Sequence, residues 1–481
     1  MSRRLFHVGI AFLLIYGLLF FRLEMVQIVN AKSLRNHPLN TREITLDFDG
    51  PRGSIRTADG EIVAQTVAVS GSRNRLRQYP YGSLYSQVVG YISAKHGGNG
   101  IERSHNDFLA GNDLSVRIQD GRDLFVDQAR TGQVELSLRH DVQLVTRAAM
   151  AGHLGTAVVM EPKTGSIWGM WSNPTFDPNH LSSHDLDAAA IDFKLLNSDP
   201  AQPLTNRAEY QRVEIGSLFT IVTAAAAIER NLSDFIVPPT SSFPANPNFP
   251  AISNLDGNKC GGTIKSLMLD RCRSGWATIG KEIGQEALED VTKRFGLIGN
   301  EPLQSENALP GPVTSARLAS SVPHAAVGTS LKLTPLQVAN LFATIGNSGS
   351  QIEPRLVDRV RAHDGSVIHE FEPQILNQSV SKETAAELLE LLSENVISGS
   401  AAGIALSDVS IGGLLASSFS QSQHLWMVAL APVTRPEVIV AVLLEGDDFD
   451  DQQTAEASIT GISRRITEAV IRLPSPTLGG S

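Results

Sequence analysis

Hydrophobic positions are patterned three ways along the chain. Leu5 to Phe21 is an apolar stretch broken by His7, Gly9, Tyr16 and Gly17, with Arg3 and Arg4 ahead of it and Arg22 and Glu24 behind. Met25, Val26, Ile28 and Val29 continue it. With Arg22 snorkelling, the segment approaches the ~20 residues that span a bilayer. The paired arginines predict a cytoplasmic N-terminus and a body outside the membrane. A cleaved signal peptide is the competing reading, because Val29-Asn30-Ala31 is a tolerable cleavage site. The length of the run favours an uncleaved anchor over residues 5–29, after a cytoplasmic stub at 1–4. Residues 31–133 are polar and glycine-punctuated: Glu43 to Phe48 alternates like a strand, and Pro51-Arg52-Gly53 and Asp59-Gly60 mark turns. This region reads as a small mixed module near the membrane.

From Val134 the texture changes. Val134–Leu138, Thr156–Met160, Ile167–Trp171, Val428–Pro432 and Val438–Glu445 read as strands. Asp141–Met150, with Asp141 as cap, Gly216–Glu229 and Ile462–Ile471 read as helices. Strands at both ends around a helical middle predict one α+β domain with a composite sheet over residues 134–473. A disordered tail is expected at 474–481. Composition agrees: 42% hydrophobic and 19% charged residues make a large core. Forty basic and fifty acidic residues give a net charge of -10 with no basic run, which argues against a nucleic-acid partner. Two cysteines are too few for a disulfide framework or a four-cysteine zinc site, and neither a metal nor a cofactor is expected.

Several local matches to chemical motifs are weak. Gly275 to Lys281 nearly spells a phosphate loop, but Glu282 stands where a Ser or Thr would bind magnesium. Asp447, Asp448, Asp450 and Asp451 lack the glycine of a calcium loop and read as a solvated acidic loop. HExxH and GxSxG are both missing. Lys163-Thr164-Gly165 and Ser379-x-x-Lys382 match elements of penicillin-reactive serine acyltransferases. The first instead fills a hairpin turn in which Gly165 supplies positive φ. The second starts an amphipathic helix with Ser381 as N-cap.

Taken in order, a longer series is specific. Arg52-Gly53-Ser54-Ile55 with Asp59-Gly60, Gly155 to Gly165, Ser172-Asn173-Pro174 and Phe176 to Asn179 come first. Pro203 to Ala208, Thr334 to Ala339, Asn347-Ser348-Gly349, Pro354 and His424-x-Trp426 follow. Over nearly its full length the chain resembles a class B penicillin-binding protein of the actinobacterial type. The resemblance implies an anchor, a membrane-proximal pedestal and a penicillin-binding transpeptidase domain, serine β-lactamase-like, with a central antiparallel sheet.

The catalytic residues of that family do not follow the scaffold. Gly216-Ser217-Leu218-Phe219-Thr220 places Ser217 on the nucleophile but Thr220 on the lysine base. The serine-x-asparagine element aligns with Arg271-Cys272-Arg273, and the lysine-threonine-glycine element with Leu414-Leu415-Ala416. A serine hydroxyl needs a base, and threonine has no usable pKa; losing a general base costs on the order of 10²–10⁴ in rate. Ser217 is therefore either a residual nucleophile or a cap of the helix that follows. Arg271 and Arg273 either bind an anionic muropeptide or phosphate, or face solvent or carboxylates. In an outside compartment Cys260 and Cys272 form, by hypothesis, a disulfide pinning this segment.

The expectation is thus a bitopic, extracytoplasmic pseudoenzyme of peptidoglycan synthesis, a scaffold or regulator contacting a polytopic glycan polymerase. Two alternatives stand beside it: a weak D,D-transpeptidase or carboxypeptidase acylated at Ser217, and a non-covalent muropeptide or β-lactam sensor.

Overall fold

A computed structural model describes residues 2–25, 47–71, 74–117, 130–298, 318, 321–329, 331–418, 424–446 and 451–474. Helix α1 (Ser2–Glu24) has 23 residues, a length of about 35 Å, enough for the ~30 Å hydrocarbon core of a bilayer. By length and composition it is long and apolar enough to cross a membrane, the one such helix among the described residues. Val26 to Val29, the end of the expected span, lies outside the described residues.

The next layer is a six-stranded sheet that joins distant parts of the chain. It is built from β1 (Ile55–Arg56), β2 (Ile62–Ala68), β3 (Arg75–Gln78) and β4 (Gln133–Leu136). A hairpin from far downstream, Val357–Arg361 and Val367–Glu370, adds antiparallel to β4 and completes it. Beneath β1, Glu102 is fully buried between two guanidiniums: Arg52 Nε reaches it at 2.6 Å and Arg77 Nε at 2.6 Å. Burial raises the Glu102 pKa, yet the charges and hydrogen bonds of Arg77 and Arg52 outweigh that and hold it below the ordinary value. Arg52 also donates to Asn106 Oδ1 at 2.7 Å, and Arg77 to the Gly53 carbonyl at 2.7 Å.

The main sheet has five antiparallel strands. These are β5 (Gly155–Met160), β6 (Ile167–Asn173), β7 (Gly412–Ser417), β8 (His424–Ala431) and β9 (Val438–Glu445), in the order β7-β8-β9-β5-β6. Around it pack α2 (His140–Ala149), α3 (Thr220–Glu229), α4 (Arg273–Ile283), α5 (Pro335–Gly346), α6 (Lys382–Ser398) and α7 (Gln452–Arg472). Val438 to Leu444 are buried without alternation, as expected of a strand covered on both faces. α7 and α5 both pack on β9, while α3 packs among α4 and α6. The composite α+β sheet expected from the sequence is what forms.

Four expectations about elements are corrected, the first being that the closing helix expected from Ile462 begins at Gln452. α2 begins at His140, and its cap comes from the first module: both Asp59 carboxylate oxygens accept the His140 N–H, at 3.0 and 2.9 Å. Asp141 sits inside the first turn and pairs with Arg139 at 2.8 Å. The stretch read as one helix from Gly216 splits into a 3-10 turn, Gly216–Phe219, followed by α3. Phe48 lies in a turn closed by Gly50 N–H to the Asp47 carbonyl, 3.0 Å, and not in a strand; residues 43–46 lie outside the described residues. Ser381 caps α6 by accepting the Thr384 N–H at 3.0 Å, and Gly165 takes φ +74 in its hairpin, as read. Asp447, Asp448 and Asp450, and the tail from 475 on, lie outside the described residues. The fourth aspartate of that run, Asp451, caps α7 through the Thr454 N–H at 2.8 Å.

Candidate functional site

Ser217 stands on the 3-10 turn where two parts of the domain meet. Gly216 allows this approach: its φ is +52, and a Cβ there would sit 2.1 Å from the Ser417 carbonyl oxygen at the end of β7. Behind the turn, Trp426 of β8 is fully buried and its Nε1 donates to the Glu214 carbonyl at 3.2 Å, tying the segment to the sheet. Ser217 is half-buried and, among the described residues, makes no side-chain hydrogen bond. Its hydroxyl does not cap α3, whose N-cap position is Phe219 with no side-chain bond. That correction follows from the 3-10 turn, which moves the helix start from Gly216 to Thr220.

The pocket beside Ser217 is lined by Thr220, Met268, Arg271, Arg273, Trp276, Val327, Leu414 and Leu415. Its volume is about 20 Å³, room for about one water molecule. Thr220 is buried, and its hydroxyl turns back to donate to the Ser217 carbonyl at 2.7 Å. This is the usual recourse of a helical threonine, and a hydroxyl, with no usable pKa near neutral pH, cannot serve Ser217 as a base. Among the described residues, Lys, His, Asp and Glu are missing from the lining. Leu414 and Leu415 occupy β7, an edge strand, both buried against α6 and the sheet, and Ala416 is fully buried.

The two arginines behave differently from one another. Arg271 pairs with Glu456 of α7 at 2.7 Å and donates to Ser417 Oγ at 3.4 Å, so its guanidinium links the loop before α4 to β7 and α7. It holds φ +50, a costly conformation for a residue with a side chain. Arg273 opens α4; burial, and then the charge of Arg271, pushes its pKa down to about 10, so it stays protonated near neutral pH. Cys272 between them is bonded to Cys260, with Cα atoms 5.7 Å apart.

Sequence reasoning missed Glu456 and Ser417, which hold Arg271 from 185 and 146 residues away; nothing in the local pattern of either announces it. It also missed Glu209, in the short helix Arg207–Tyr210 just ahead of Ser217. Both of its carboxylate oxygens are buried without a hydrogen-bond partner among the described residues, and burial pushes its pKa up to about 8. That helix packs on α5, where the buried Asn340 amide also lacks a partner among the described residues. Glu209 does not line the pocket.

The fold and the site together can be set against known proteins. Residues 155–468 match the penicillin-binding protein transpeptidase domain, and residues 52–134 the penicillin-binding protein A dimerisation domain. The chain belongs to the penicillin-binding transpeptidase family. The peptidoglycan D,D-transpeptidase PbpA of Mycolicibacterium smegmatis is 30% identical over 98% of this chain and 99% of its own. Its counterpart in Mycobacterium tuberculosis is 29% identical over the same shares. The solved structure of penicillin-binding protein A from M. tuberculosis, an imipenem acyl-enzyme complex, superposes with a TM-score of 0.81 at 27% identity. It covers 89% of this chain and 100% of that one. Family membership, the actinobacterial likeness and the fold expected from the sequence are thereby established. In this chain, Arg52 of the Arg52-Gly53-Ser54-Ile55 element is the partner of buried Glu102, and Asp59 of the Asp59-Gly60 turn is the cap of α2.

Proposed function

We propose that this chain serves peptidoglycan synthesis as a single-pass membrane protein with its body outside the cytoplasm, without transpeptidation of its own. It acts as a scaffold or regulator of the cell-wall synthesis complex, contacting a polytopic glycan polymerase through its anchor and membrane-proximal module. Full-length relatives named as peptidoglycan D,D-transpeptidases support the process, and the apolar α1 supports the anchor. One observation carries the loss of chemistry: Thr220 occupies the place of the base, donating its hydroxyl to the Ser217 carbonyl, and a threonine hydroxyl has no usable pKa for that role. Without a base the serine forfeits on the order of 10²–10⁴ in rate, or about 3–5 kcal/mol of barrier. The imipenem adduct of the M. tuberculosis relative shows what an active pocket of this fold admits; here Leu414, Leu415, Arg271 and Arg273 leave space for about one water.

The test is glycan polymerisation in vesicles containing a polymerase of the cell-wall machinery, with and without this protein. Wild type and Ser217→Ala are expected to change the polymerase rate equally and to co-purify with it. No effect and no co-purification count against a scaffold. An effect lost in Ser217→Ala would instead favour a weak transpeptidase or carboxypeptidase.

A further inference from the structure

The site holds one bond that acyl transfer never uses. Cys272, whose chain neighbours Arg271 and Arg273 both line the pocket, is the N-cap residue of the eleven-residue α4, a helix end with no side-chain cap from that position. Its sulfur lies over the first turn: Ser274 Oγ is 3.9 Å away, and a Cβ on Gly275 would come within 3.1 Å of it. Asn254 Oδ1 accepts the Ser274 N–H at 2.8 Å, so the turn is held independently of the sulfur. The two ends of the bridge differ in access, because Cys272 is fully buried while Cys260, on the strand Cys260–Gly262, is half-buried. Between them the chain carries Arg271 in its left-handed conformation, restrained by Glu456, by Ser417 and by the bridge at the adjoining residue.

We propose that the Cys260–Cys272 disulfide is a reversible redox clamp that holds Arg271 and Arg273 in the pocket and is opened by a dithiol outside the membrane. A thiolate of the dithiol attacks Cys260 Sγ, and the disulfide breaks with its electron pair leaving on Cys272. The second thiol gives up its proton and attacks its partner sulfur in the mixed disulfide, releasing the Cys260 thiolate, which takes up a proton. The dithiol ends as a cyclic disulfide, and its two electrons reside in the two cysteines. The direction of attack follows from the asymmetry. The half-buried cysteine is the one reached, and the fully buried one leaves as a thiolate stabilised by the helix N-terminus and by flanking positive charge. A thiolate of lower pKa leaves faster. Once the bridge opens, the costly φ of Arg271 has one restraint fewer, and the loop at 270–273 relaxes away from Ser217.

The proposal rests on the reading of the pocket as closed, and its readouts are separate from acylation. Full-length protein in detergent is treated with dithiothreitol without denaturant, and in parallel with glutathione to trap the mixed disulfide; both are mapped by differential alkylation. The bridge is expected to open with near-UV circular dichroism retained, and glutathione to be found on Cys260 roughly tenfold over Cys272. Arg271→Gln with Arg273→Gln should slow opening about threefold, whereas lysine at both positions should keep the rate. Amide hydrogen exchange across 264–276 should rise on reduction and in Cys260→Ser/Cys272→Ser. A bridge that opens only in denaturant, glutathione on Cys272, an unchanged rate in the glutamine variant, or unchanged exchange would each overturn the clamp. Penicillin acylation of Ser217 would sink the pseudoenzyme reading while leaving these thiol results as they stand.

Discussion

Replacing Glu209 by glutamine should remove a pH-dependent weakness from the fold. Glu209 is 1% exposed, and its carboxylate oxygens have no hydrogen-bond partner among the described residues. Burial lifts its pKa from 4.5 to about 8. Between those values the native state holds a proton that the unfolded chain releases, so stability falls as pH rises. It is fully present below about 4.5 and is lost by the time the pH passes about 8. At about 1.36 kcal/mol per pH unit, that gap amounts to a loss on the order of 5 kcal/mol. Glutamine keeps the shape of the protonated acid but cannot ionise. Denaturant unfolding of full-length protein in micelles, from pH 5 to pH 9, should therefore give near-coincident curves for wild type and Glu209→Gln at the acid end. At the alkaline end the variant should be the more stable by several kcal/mol. Other titrating groups cancel in the difference. Parallel pH profiles for the two proteins would refute the assignment of a buried, unpaired carboxyl to this position.

The remaining expectations concern the scaffold. Glu102→Ala strands Arg52 and Arg77 in the interior and should cost about 3–5 kcal/mol in the same unfolding assay. Because the Glu102 pKa is held low, its contribution is present above the ordinary carboxylate range and lost as pH falls through the depressed value, opposite in sense to Glu209. Gly53→Ala would place a Cβ 1.7 Å from the Gly132 carbonyl oxygen, so it should yield little folded protein by size-exclusion chromatography. Cys260→Ser/Cys272→Ser removes a short cross-link and should lower stability by about 3 kcal/mol, read as a drop in denaturation midpoint.

Much of the fold was legible because its periodicities are strong. The inner strands β5, β8 and β9 of the main sheet carry long apolar runs, and α1 is one long apolar segment. The resemblance to penicillin-binding proteins aligned Ser217, Arg271, Arg273, Leu414 and Leu415 with one site, and the structure brings all five around one pocket. What stayed hidden depends on partners far along the chain. The start of α2 is set by Asp59, 81 residues upstream, which no window around Asp141 reveals. The outer strand of the downstream hairpin that completes the six-stranded sheet is mostly exposed, so Val367 to Glu370 carries no burial pattern to read. Ser217 looked like a helix cap because Gly216-Ser217 precedes an alanine-rich run, but the close packing of Gly216 on Ser417 imposes a 3-10 turn first. Glu209 is surrounded by polar neighbours in sequence, and its burial follows from α5, whose residues begin 126 positions later.

The central claim is that the scaffold persists without its acyl-transfer chemistry, and covalent labelling by a fluorescent penicillin tests it most directly. Full-length protein and penicillin-binding protein A from M. tuberculosis would be incubated side by side, and the adducts located by peptide mass spectrometry. The account predicts labelling of the mycobacterial protein and no adduct on Ser217. An adduct mapped to Ser217, and abolished in Ser217→Ala, would contradict it.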